Sequence, residues 1–383
     1  MRCDFKKILR DNFILGREKS VKNNLKGSNN TPLLLIIVTF LSTVGYQILF
    51  GQIGILKGTA NGTVISKKWL LTNFLKFVLF AGQSLLLVSV GYFSPDIKSK
   101  LNVIFRWWMS IVVMGVILAL GWMFFDQWSN SSVIWLVALP MIRNTYPLLT
   151  AAIVGTLLSG FVDTTWREHK ETFLIFATVL FFVPTIFNQD IFVTQINGMP
   201  TFIEYLLMCF LGVTLRHLNL NNISRMHWLL ITGLTFFLAA VSLILMIPLS
   251  NFSHQGISTV NRFLQPYSIL TYLIAGSTFA LVVNTRKVKK TGFIRFFEPS
   301  WMWIVSAIVF LTNPQFASFI RATTFGKLSG FKNLHSLMSV VLYTLYLACA
   351  IYALSVLTMF VTQKMLRTRE FEKRIKGLGK LQV

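Results

Sequence analysis

Residues 69–93 read WLLTNFLKFVLFAGQSLLLVSVGYF, a run in which Lys76 is the only charge. About 20 such residues wound as a helix cross the ~30 Å hydrocarbon core of a bilayer. Lipid offers the backbone no hydrogen bonds, so a helix, which satisfies its amides internally, is the form this run must take. Nine more stretches are apolar on a similar scale: 32–50, 106–125, 133–162, 172–188, 200–219, 227–249, 266–285, 300–320 and 336–363. Together they predict an all-α, polytopic integral membrane protein with about ten transmembrane helices. The stretch 172–188 is short for a crossing and 133–162 is long. The long one is read as one crossing plus an interfacial or re-entrant piece.

Composition agrees. Of the 383 residues, 54% are hydrophobic and only 13% charged, too little polar surface for a soluble domain. The net charge of +23 invites a nucleic-acid reading until the charges are located. They lie in the loops and tails between apolar runs, not on one face of a soluble domain, so nucleic acid is excluded as a partner. The partner they fit is a bilayer with anionic headgroups.

Lys and Arg also thread the chain. With the N-terminus inside, the inner segments hold 27 of the 36 basic residues and the outer segments 7, with Lys76 and Arg143 inside spans. Basic loops stay cytoplasmic, so ten crossings with both termini cytoplasmic are expected, in the plasma membrane. The loop 286–295, with five basic residues, fixes this parity: reading 133–162 as two crossings would put it outside. The expected organisation is a basic cytoplasmic segment 1–31, a ten-helix domain 32–363 and a basic cytoplasmic tail 364–383. A long basic, polar lead-in precedes the first span, with no small-residue cleavage site after it, so that span is expected to be retained. Trp69, Trp107, Trp108, Trp128, Trp228, Trp301 and Trp303 fall near span ends, as interfacial anchors do.

Ionisable residues inside a membrane are costly and are functional candidates by default. Arg143 stands between Pro140 and Pro147 in LPMIRNTYP, a helix-breaking context that lines cavities at membrane depth. It suits an anionic group, with Asn144 and Tyr146 beside it. Snorkelling to an interface is the alternative. Lys76 and Gln83 form a second candidate pair, Lys76 with the same alternative. Glu204 at the start of its span, and His254 and His335 on the outer side, are candidates for proton transfer. His169, His217 and His227 are expected in inner loops as solvated residues. Cys3, Cys209 and Cys349 have no disulfide or metal spacing, no metal site is expected, and no nucleotide motif occurs.

Three stretches resemble the membrane-bound acyltransferase family 3, ten-span proteins that O-acetylate envelope sugars. Phe77–Phe93 is similar to the family's second span with its Ser-Gly-Tyr-type turn, here Ser89-Val90-Gly91-Tyr92-Phe93. Ile134-Trp135-Leu136 through Tyr146-Pro147-Leu148-Leu149 is similar to its Trp-Phe-Leu segment leading to Pro-Leu-Leu. Glu204-Tyr205-Leu206-Leu207-Met208-Cys209-Phe210-Leu211-Gly212 is similar to its Tyr-Leu-Leu-Gly-Tyr span. The first span departs from the pattern. Asn29–Leu35 and Val44-Gly45-Tyr46-Gln47 stand where the family carries its Arg and its catalytic His. The resemblance implies the scaffold, an acyl-CoA donor and an envelope glycan acceptor, with Tyr92 joining the substrate-binding set. It leaves two alternatives: a catalytically silent member, or one that uses other groups.

The function expected is therefore that of a membrane acyltransferase-like protein acting on cell-envelope polysaccharide or glycopolymer. The alternative is a non-enzymatic transporter, flippase or accessory subunit for lipid-linked glycan export, working beside envelope-synthesis partner proteins.

Overall fold

In a membrane helix the apolar surface faces lipid or another helix, and small residues decide which helices approach closely. The computed structural model describes residues 31–51, 53–56, 67–94, 100–124, 146–173, 202–218, 223–253, 268–284, 301–313 and 344–357, with the single positions 175, 179, 220 and 316. The expected span 172–188, the first part of 133–162, loop 286–295 and both charged ends lie outside them. Every regular element among the described residues is a helix. In chain order these are α1 Thr31–Leu49, α2 Lys67–Phe93, α3 Lys100–Phe124, α4 Pro147–Glu168, α5 Phe202–His217, α6 Arg225–Ser253, α7 Ile269–Val283, α8 Trp301–Thr312 and α9 Thr344–Leu357. Three stretches, Lys67–Phe93, Pro147–Glu168 and Arg225–Leu245, are long and apolar enough to cross a membrane.

Local chemistry sets the boundaries. Pro147 opens α4 at a position whose amide would have no helical partner. Ser268 caps α7, its hydroxyl accepting from the Thr271 amide at 3.3 Å. The helix α4 continues to Glu168, past the expected end of its span at residue 162. Arg167 in its last turn suits the negative end of the helix dipole.

Buried hydroxyls look after themselves. Thr39, Thr43, Ser84 and Thr156 each donate to the carbonyl four residues back, at 2.7–3.0 Å. Their burial at 0–3% exposure therefore leaves no polar group stranded and makes no site.

The hub is α2, buried without a break from Phe80 to Gly91. A helix apolar all round must be covered all round. Its neighbours include α1, α4, α5, α6 and α7, and its most extensive partner is α5. At one end, Phe77 and Ala81 of α2 meet Ala239 of α6 and Leu270 and Ile274 of α7. Among the described residues α6 leaves one side uncovered, with Leu229, Leu230, Leu234, Phe237 and Leu245 each about half or more exposed.

The contacts also give directions. Gln83 meets Tyr205, and Tyr92 meets Arg216, so α2 and α5 run parallel. Ala151 meets Cys209 at 3.7 Å and Asp163 meets His217, so α4 runs parallel to α5. Ser42 lies against Gly82 and Leu79 against Gly45, so α1 is antiparallel to α2. Thr235 meets Ser277 at 3.4 Å and Ile223 meets Asn284 at 2.9 Å, so α6 is antiparallel to α7.

Candidate functional site

A carboxylate at the end of an apolar helix needs partners, and Asp163 on α4 gathers three. Arg167, one turn on, brings Nη2 to 2.9 Å from Oδ2. From α5, His217 brings Nε2 to 3.0 Å from Oδ1 and Arg216 brings Nε to 3.7 Å. Arg216 also donates from Nη1 to the Tyr92 carbonyl at 3.3 Å. That carbonyl belongs to the last turn of α2, where helix carbonyls lack intrahelical donors. One guanidinium thus ties α2 to α4 and α5 at their common end.

The members are not equal. The Asp163 side chain is 10% exposed, His217 16% and Arg216 21%, whereas Arg167 is 62% exposed. The Arg167 pair is solvated and worth about 0.5 kcal/mol or less. The inner contacts are where the charge is withdrawn from water. The His217 ring stacks on Trp166, centroids 5.3 Å apart and planes 15° from parallel. Trp166 itself is buried and meets Phe173 edge-on.

His217 is therefore not the solvated loop residue expected from the sequence. It closes α5, held between a buried tryptophan and a carboxylate, because α4 and α5 end side by side. His169 and His227 are exposed. Asp163 and its partnership with Arg216 were not anticipated. The signal available was Asp163-x-x-x-Arg167 at the end of one apolar run and Arg216-His217 at the end of another, which parallel packing of α4 and α5 brings together.

A second polar region lies inside the bundle. Gln83, with no exposed surface, donates from Nε2 to the Tyr205 hydroxyl at 3.4 Å. Its Oε1 has no partner among the described residues. Phe80 stacks on Tyr205, centroids 6.1 Å apart, and meets Tyr46 edge-on at 5.5 Å. Tyr46, standing where the resemblance would put a histidine, is packed among rings.

The expected substrate-binding residues do not form one group. Lys76 and Gln83 share a face of α2, seven residues apart. Tyr92, at the far end of the same helix, packs on Phe93 and Phe279. Tyr146, buried at the start of α4, hydrogen-bonds Asn313 just past α8. Arg143, Asn144, His254 and His335 lie outside the described residues. Glu204 falls in the first turn of α5, beside Tyr205.

No family model matches the chain, and neither a curated protein nor a solved structure matches it.

Proposed function

We propose that the chain is a ten-crossing plasma-membrane protein, both termini cytoplasmic, that acylates hydroxyl groups of a lipid-linked or envelope glycan using an acyl thioester. One observation carries this reading. Two of the three stretches that resemble the acyltransferase family fall on α2 and α5, the described end of the third, Tyr146 to Leu149, opens α4, and these three helices pack on one another. Scattered apolar similarity would have no reason to converge there.

The helix directions support the threading. Parallel α4 and α5 agree with the expected threading, in which one crossing, 172–188, separates them. The contact between Tyr146, opening α4, and Asn313, after α8, fits α8 running opposite to α4. A cysteine in place of Val288, with Cys3, Cys209 and Cys349 changed to Ala, is expected to resist an impermeant maleimide in intact cells. It should react after permeabilisation, while a cysteine at Ser258 reacts in both. Labelling of position 288 in intact cells would overturn the threading.

Deleting the gene is expected to lower the O-acyl content of the envelope glycan, with recovery on complementation. Unchanged acyl content sinks the acylation reading. Export of a lipid-linked glycan is the second reading, and the buried Gln83 amide with its open acceptor favours it, since polar groups at this depth line substrate paths. Its mark would be a lipid-linked precursor retained on the inner leaflet in the deletion strain, with normal acylation of whatever is exported.

A further inference from the structure

We draw no further inference here: the strongest candidate, the buried Gln83 side chain where α2 meets α5, with its Oε1 unpartnered among the described residues, has no exposed surface through which a ligand could reach it and belongs to the candidate site already described.

Discussion

Gly91→Leu is expected to abolish the folded bundle, and Gly212→Leu to do the same, because both glycines let α2 and α5 touch through their backbones. A Cβ on Gly91 would fall on the Cys209 carbonyl oxygen, with the Cys209 carbonyl carbon 2.7 Å away. One on Gly212 would fall on the Val88 carbonyl oxygen, with the Tyr92 nitrogen 2.9 Å away. Backbone cannot rotate aside as a side chain can. The two helices must separate, and the pairing that anchors the bundle loosens along its length. Overpacking a core commonly costs ~1–3 kcal/mol even where side chains can yield, so the cost here is expected at or above that range. Even Gly91→Ala should lower the melting temperature of detergent-purified protein. The control is Gly233→Ala on α6, where an added Cβ meets nothing within 4 Å. Removing a helical glycine there should stabilise by up to ~1 kcal/mol. A Gly91→Ala protein that melts with the wild type would mean that α2 and α5 are not in backbone contact.

What the sequence makes legible follows from which forces it encodes locally. The apolar run 69–93 and the helix Lys67–Phe93 nearly coincide, because exclusion of polar groups from lipid is a property of consecutive residues. The same holds for 200–219 against Phe202–His217 and 32–50 against Thr31–Leu49. The helix α4 runs on to Glu168, past residue 162, and carries Asp163 with Arg167 one turn on and Arg216 and His217 from α5 beside it. Arg216 and His217 sit on α5, more than 50 residues from Asp163, and only helix packing brings them near. His217 failed for the same reason: its environment is Trp166 and Asp163, neither of which is near it in sequence. Tyr92 and Gln83 do not sit together on α2, because nine residues along a helix put two side chains on opposite faces.

Replacing Asp163 is expected to have the second-largest effect, and its sign distinguishes a charge network from a decorated surface. Asp163→Asn keeps the shape but leaves Arg216 and His217 facing a neutral amide at the ends of three helices. Breaking a fully buried pair by removing one partner costs ~3–5 kcal/mol. Arg216 keeps 21% exposure, so water offsets part of this and the expected loss is nearer ~2 kcal/mol. Arg167→Gln should cost ~0.5 kcal/mol at most, since that pair is solvated. The two inner changes should not add. Arg216→Gln removes the charge that Asp163→Asn strands, so the double variant should recover ~1 kcal/mol or more relative to the sum of the singles, within the range for residues in one network. Unfolding of the purified chain in mixed detergent micelles measures all four proteins. Additive losses would mean that Asp163 and Arg216 do not sense each other. The approach of Arg216 to Asp163 would then carry no stability, and Arg216 would tie α5 to α2 alone, through the Tyr92 carbonyl.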